Sequence, residues 1–469
     1  MDKESKRIIK VLIGICGLFL SLVLYMSYFE IFQASKVVSN SYNKRQWINE
    51  ELVLRGTIAD RNGNTLAYSE KKNEQQNRIY KYGSLYSHVI GYSLKEYGKA
   101  GLEASYNQSL LNMHDNNPIL EIRDKISGPS ENGNNLILTI DHNLQKYAAQ
   151  RLKGKKGAIV LMNPKTGEIY AMVSKPDFDP AALKGNWEDI VEDDNSPLLN
   201  RATMGLYTPG SVFKLVTAAA ALETPDIVEE KFTCEGSINI DGYVLKDYKG
   251  IAHGELNLEE AMAKSCNVTF SQIGLQLGEE KLRKTAERLY LNKIIPFDLK
   301  TKTSIFPEQS VMTRPELGAT AIGQGKVLVT PLNMALITSA IANDGVMMKP
   351  ILVKEILTPE GRTLRGSKAE VIARPINSMI SQQLEDMMVK VVREGTGTNA
   401  RIKNVKVAGK TGTAENETGK AHAWFVGYAP VEDPKVAVAV ILESSGSTGG
   451  TAAAPIARDI IITALRNIK

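Results

Sequence analysis

Three short clusters in this chain carry residue types suited to acyl transfer. They are Ser211-Val-Phe-Lys214, Ser265-Cys-Asn267 and Lys410-Thr-Gly-Thr413. A serine hydroxyl is a poor nucleophile until a neighbouring base takes its proton. Residues three apart share a helical face, so Lys214 is expected to reach the Ser211 hydroxyl. A lysine accepts a proton only when neutral, so burial or a second cation must lower its pKa. Val212, Phe213 and Leu215 supply burial, and Lys410 supplies the cation. Ser265 and Asn267 then relay a proton to a leaving amine and hold a substrate amide. Lys410, Thr411 and Thr413 bind a C-terminal carboxylate, and Gly412, with no side chain, lets a peptide approach and add as a strand. The backbone N–H groups of Ser211 and Thr413 form the oxyanion hole.

Each cluster alone is a weak signal. Ser41-x-x-Lys44 and Ser69-x-x-Lys72 share the first spacing, Ser105-x-Asn107, Ser130-x-Asn132 and Ser237-x-Asn239 share the second, and Lys165-Thr-Gly167 shares part of the third. Context separates them. Ser69 lies in a charged run with nothing to bury, and Lys165-Thr-Gly167 reads as a hairpin turn. Ser211 follows Pro209-Gly210 and opens an apolar helix, Phe213 to Leu222, whose N-terminus favours developing negative charge.

The surrounding elements follow from hydrophobic periodicity. Asn62-Gly63 between Ile58 and Leu66 marks a hairpin. Residues 69–135 are polar and rich in Gly and Asn, and read as an irregular β-containing module. Asp141 caps a helix from His142 to Leu152. From Gly157 the texture changes: Ala158-Ile-Val-Leu-Met162 and Glu168 to Val173 form a hairpin about the turn Asn163–Gly167. Helices are expected over Phe213–Leu222, Leu258–Leu277, Glu280–Leu289, Pro331–Ala342 and Ser378–Val392. Strands return at Val405–Ala408, His422–Tyr428 and Val436–Leu442, and a helix closes the chain from Pro455 to Ile468. Strands at both ends with helices between predict an α+β fold, an antiparallel sheet flanked by helices.

Bulk properties exclude several classes. The net charge of +5 on 469 residues, with no clustered basic stripe, argues against nucleic-acid binding. Three cysteines, Cys16, Cys234 and Cys266, are too few for a disulfide framework, and they read as free thiols; one bridge between Cys234 and Cys266 is the alternative. The five histidines are scattered and offer no ligand spacing, so no metal or cofactor is expected; His253 and His422 read as structural. At the N-terminus, Lys3, Lys6, Arg7 and Lys10 precede an uncharged run from Val11 to Phe29. About 19 residues suffice to span the hydrocarbon core. Basic residues ahead of the span keep that end cytoplasmic and place the rest outside. The run is too long for a cleaved signal and lacks a small-residue cleavage site. Residues 30–50, with Ser35–Tyr42 and several charges, read as a helix or stalk leaving the membrane.

With these motifs in this order, the chain resembles the class B penicillin-binding proteins. Asn200-Arg-Ala, His253-Gly254, Gly323-Gln-Gly325 with Thr330-Pro331, Gly395-Thr-Gly397 and Trp424-Phe-Val-Gly427 add to the resemblance, as do residues 55–67 and Gly101-Leu-Glu103. Cys266 stands where an Asp is common in β-lactamases. The resemblance implies a tail (1–10), a transmembrane anchor (11–29), a small pedestal or dimerisation-like domain (30–152) and a transpeptidase domain (153–469). It implies a pedestal brace pairing Arg55 or Arg61 with Glu103. It implies peptidoglycan D,D-transpeptidation through a Ser211 acyl-enzyme on D-Ala-D-Ala stem peptides, with acylation by β-lactams and no cofactor. The acyl group passes to a neighbouring acceptor amine, and a membrane glycan polymerase is the implied partner. Two rival readings share the motifs: a β-lactam-hydrolysing or β-lactam-sensing relative, and a non-catalytic scaffold that activates a polymerase.

Overall fold

The computed structural model describes residues 2–33, 53–72, 75–113, 131–307, 312–417 and 419–468. The stalk expected near Ser35–Tyr42, and the decoy pairs at Ser41 and Ser130, lie outside them. An apolar helix, Lys3–Phe32, is long enough to cross a membrane and buries none of its residues against the remainder. It is the one helix of that kind among the described residues.

Two sheets organise the chain beyond this helix. The larger core is built on five antiparallel strands in the spatial order Ala408–Ala414, His422–Ala429, Val436–Leu442, Gly157–Met162 and Ile169–Lys175. The apolar runs read from the sequence are continuous because both faces are covered. Along Val436–Leu442, the residues Val438, Val440 and Leu442 pack into one core, and Ala437, Ala439 and Ile441 into the other. The first of these cores includes the helices His142–Arg151 and Ala454–Asn467. The second includes Pro331–Ala342, whose every residue is buried, which is why its apolar residues show no single face.

The second sheet has six strands, ordered Thr363–Gly366, Val353–Leu357, Asn135–Leu138, Ile58–Ala59, Thr65–Lys72 and Gln75–Tyr80. Ile58–Ala59 runs parallel to Asn135–Leu138, and the other neighbours are antiparallel. Two of its strands thus come from the second half of the chain. The Asn62-Gly63 turn forms as expected, with Gly63 at φ +82° and Asp60 accepting from the Asn62 and Asn64 amides. Ser69 and Lys72 fall on the strand Thr65–Lys72, not on a helix, so their three-residue spacing is not a helical one.

The pedestal brace uses Arg55, not Arg61. Arg55 is buried against Glu103 and Asn107, and Arg78 joins the same carboxylate at 2.7 Å. Burial raises the Glu103 pKa, but the Arg55 and Arg78 guanidiniums outweigh it and hold the carboxyl below its usual range. Arg61 instead pairs with Glu168.

Three element boundaries differ from the sequence reading. The stretch Leu258–Leu277 is not one helix. It divides into Leu258–Lys264 and Asn267–Arg288, because Ser265 takes a left-handed conformation at φ +59° and Cys266 starts the next helix. The expected break before Glu280 is present as a kink at Gly278 (φ +73°). The strand expected at Val405–Ala408 begins only at Ala408, and Lys410-Thr-Gly-Thr413 lies on it as expected.

Candidate active site

Ser211 lies in a 3-10 turn, Gly210–Phe213, that runs directly into the helix Lys214–Leu222. Several contacts fix this turn. Gly210 has φ +54°, and its N–H donates to Gly323 O at 2.9 Å. A side chain at Gly323 would sit 2.2 Å from Gly210 O, so only glycine fits. Trp424 Nε1 donates to Thr208 O at 3.1 Å, and Tyr207 pairs through its backbone with Val329. The Tyr207 hydroxyl also donates to Glu443, which forms an ion pair with the buried Arg201 at 2.8 Å. The Asn-Arg-Ala, Gly-Gln-Gly and Trp-Phe-Val-Gly segments therefore converge on one turn.

The strand Ala408–Ala414 is the edge of the five-stranded sheet, and it packs against that turn. A Cβ on Gly412 would lie 2.9 Å from Pro209 O and 3.0 Å from Val212 Cγ1. Glycine is needed here for the nucleophile turn to approach, a different reason from the passage of substrate expected on sequence grounds.

The three motifs meet at Ser265. Lys410 Nζ donates to Ser265 Oγ at 2.8 Å and to Thr411 O at 2.9 Å. Lys214 Nζ lies 2.5 Å from Ser265 O, 2.8 Å from Asn267 Oδ1 and 3.4 Å from Ser265 Oγ. The structure thus brings Ser211, Lys214, Ser265, Asn267 and Lys410 together with Thr411, Gly412 and Thr413. One contact departs from expectation. Among the described residues the Ser211 hydroxyl makes no hydrogen bond, and the Lys214 amine is turned to the carbonyl of Ser265 and the amide oxygen of Asn267. Catalytic hydrogen bonds are commonly loose without substrate.

Both lysines are fully buried, at 0% exposure, and among the described residues no carboxylate touches either one. Burial lowers the Lys214 pKa to about 8, against the opposing charge of Asp247. Burial also lowers Lys410 well below its usual value, with the Lys214 cation as the second cause. Of the two causes the sequence offers, apolar burial and the Lys410 cation, burial is the one that dominates at Lys214. Ser265 adds local strain, since a left-handed non-glycine residue costs on the order of 1–3 kcal/mol.

Behind Asn267 lies a group that sequence spacing does not suggest. Cys234, Asp247, His253 and Cys266 place their ligand atoms within 4.8 Å of one another. Two sulfurs, an imidazole and a carboxylate are a donor set that suits a tetrahedral cation such as Zn²⁺. In the structure the group is tied together by its own contacts: the Cys234 thiol donates to Asp247 at 3.5 Å, and His253 Nδ1 lies 3.2 Å from the same carboxylate. Both thiols are free, so the alternative Cys234–Cys266 bridge is absent. These residues share the stretch 234–266, but the hairpin Ser237–Ile240/Tyr243–Lys246 separates the first two and no two of them have a paired ligand spacing, so no motif marks them. His422 stands beside Tyr207 and accepts from the Ser444 amide at 3.0 Å.

Comparison with known proteins gives the family. Residues 157–462 match the family described as penicillin binding protein transpeptidase domain, and residues 55–136 match the penicillin binding protein A dimerisation domain. The peptidoglycan D,D-transpeptidase PbpA of Mycolicibacterium smegmatis is 33% identical, over 97% of this chain and 98% of that protein. Stage V sporulation protein D of Bacillus subtilis is 33% identical, over 83% of this chain and 64% of that one. The structure of penicillin-binding protein A from M. tuberculosis as its penicillin G acyl-enzyme superposes with a TM-score of 0.81 at 32% identity, covering 88% of this chain and all (100%) of that one. On the family match and these whole-length similarities, the chain belongs to the penicillin-binding transpeptidases.

Proposed function

We infer that this chain is a peptidoglycan D,D-transpeptidase whose nucleophile is Ser211. The observation that carries the reading is the meeting of two fully buried lysines at Ser265, beside the turn that holds Ser211. A buried amine with its pKa brought down to about 8 is partly neutral near physiological pH and can take a hydroxyl proton.

The steps follow from that geometry. Ser211 Oγ attacks the penultimate D-alanine carbonyl of the donor stem peptide as its proton passes to the Lys214 amine. The oxyanion faces the N–H groups of Ser211 and Thr413. As the C–N bond breaks, a proton reaches the leaving D-alanine amine through Ser265, whose hydroxyl links Lys214 and Lys410. The acceptor amine of a neighbouring stem then attacks the ester, returns its proton along the same path, and frees Ser211. Thr413 and Lys410 hold the donor carboxylate, with Thr411 beside them on the same strand, and Asn267 holds the donor amide. β-Lactams enter the first half of this cycle and stop at the acyl-enzyme.

The apolar helix Lys3–Phe32 anchors the enzyme in the cytoplasmic membrane, its N-terminus inside and the catalytic domain outside. Protease digestion of intact spheroplasts tests that orientation: the catalytic domain should be cut, and its survival would reverse it. A separate membrane polymerase makes the glycan, meeting this chain through the anchor and pedestal; crosslinks from those regions to such a protein are the expected result, and crosslinks confined to the catalytic domain would contradict it.

The chemistry is tested by labelling the full chain with a fluorescent penicillin. Wild type should label covalently and Ser211→Ala should not; undiminished labelling of the variant removes Ser211 from the role. A bound half-life of seconds would favour a β-lactam hydrolase instead. Normal cross-linking in cells carrying only Ser211→Ala would favour a scaffold.

A further inference from the structure

The loop Gly395-Thr396-Gly397 ties together the two walls of the cleft. The Thr396 N–H donates to Ala263 O at 3.3 Å, two residues before Ser265. A Cβ on Gly395 would lie 2.3 Å from that same carbonyl, so the loop is pressed against the wall that carries Ser265. The Thr396 carbonyl bears on Gly450, where a Cβ would be 2.5 Å away, and Asn399 Nδ2 donates to Gly450 O at 2.8 Å. The Thr396 hydroxyl lies 2.6 Å from the hydroxyl of Thr411, on the strand wall.

These two hydroxyls differ in access. Thr411 is only 5% exposed, whereas Thr396 is exposed. Each hydroxyl has one proton to give. Within the pair one proton is spent on the other oxygen, so the unit has one left to donate outward. The outward position belongs to Thr396. Lys410 Nζ donates to the Thr411 carbonyl at 2.9 Å, so the strand segment that carries the pair also holds the cation.

We propose that Thr396 is a substrate-binding residue: with Thr411 as its buried partner, it donates a hydrogen bond to the C-terminal carboxylate of the donor peptide. The assignment rests on the transpeptidase reading above and adds a residue to it from outside the three motifs. A hydrogen bond to an ionised group is among the stronger ones, so its loss is worth roughly ten- to a hundredfold in rate.

The test compares acylation of the full chain in detergent by benzylpenicillin and by its methyl ester, which lacks the anionic carboxylate. Thr396→Val should slow the free acid roughly ten- to a hundredfold and leave the ester unchanged. Thr396→Ser should restore the rate with the free acid. Thr411→Val should give a similar selective loss, and the double variant little more, since the pair acts as one unit. Equal slowing of acid and ester, or of neither, overturns the proposal, as does failure of serine to rescue. Thermal melting of each variant separates these outcomes from unfolding. If wild type is not acylated at Ser211, the transpeptidase reading itself fails and takes this subsite with it; a normal wild-type reaction with no acid-selective loss removes Thr396 alone.

Discussion

Two regions of this molecule bury a pair of cations, and they treat them oppositely. In the pedestal, Arg55 and Arg78 flank the Glu103 carboxylate, and every charge has a partner. At the active site, Lys214 and Lys410 converge on Ser265 with, among the described residues, only neutral oxygens in contact. Arginine stays charged wherever it is buried, whereas lysine surrenders its proton when desolvation is severe. The first cluster is therefore a brace, rigid and chemically silent. The second holds amines whose protons are available for transfer. Placing a carboxylate in direct contact with Lys214 would stabilise its cation and remove the base.

The largest expected effect breaks the second region chemically. Lys214→Met should lower the acylation rate by about 10²–10⁴-fold, the usual contribution of a general base, measured with a reporter penicillin. The same variant should not melt earlier than wild type near neutral pH. The sign follows from proton binding. The Lys214 pKa falls from 10.5 in the unfolded chain to about 8 in the fold, so between those values the unfolded state holds the extra proton. Wild-type stability should therefore rise with pH across that window, and the penalty is fully present below it. Melting curves of wild type and Lys214→Met should converge as pH increases; a wild-type advantage at neutral pH would contradict the picture.

The first region should fail in the opposite sense. Glu103→Gln leaves two buried guanidiniums without an anion, and breaking a buried pair costs about 3–5 kcal/mol. Denaturant titration should show that loss, while acylation by the folded fraction stays near wild type. A large catalytic defect with unchanged stability would make the pedestal more than a brace. Gly412→Ala should come next, with about 1–3 kcal/mol of overpacking against Pro209 and Val212 and slower acylation, read by melting and by reporter labelling. The smallest change in stability is expected of Ser265→Gly. It relieves left-handed strain and should stabilise by about 1 kcal/mol while slowing turnover, because the hydroxyl between the lysines is gone.

The motifs are legible in the sequence because each depends on local structure. Ser211 follows a Pro-Gly turn and opens a helix, and Lys410-Thr-Gly-Thr413 lies on an edge strand. Both facts follow from composition within about ten residues. The helix break at Ser265-Cys266 is not legible, because Leu258–Leu277 keeps helical periodicity through it; the left-handed Ser265 is held by tertiary contacts. The Lys214 rotamer escapes a reading by spacing for a related reason. Spacing places it near Ser211, but the oxygens of Ser265 and Asn267 that capture it come from another part of the chain. The Cys234, Asp247, His253 and Cys266 group, the Arg78 partner of Glu103, and the Thr396–Thr411 pair are all products of long-range folding. So is the six-stranded sheet, which joins Asn135–Leu138 to Val353–Leu357.

In the proposed cycle, burial lets the Lys214 amine act as a base near neutral pH. The most direct test is the pH dependence of the second-order rate of Ser211 acylation by benzylpenicillin in the full chain. The rate should climb about tenfold per pH unit at low pH and level off as pH passes about 8, and the Lys214→Met variant should lose that limb. A wild-type inflection near the ordinary lysine value of 10.5, or a limb that persists without Lys214, would contradict it.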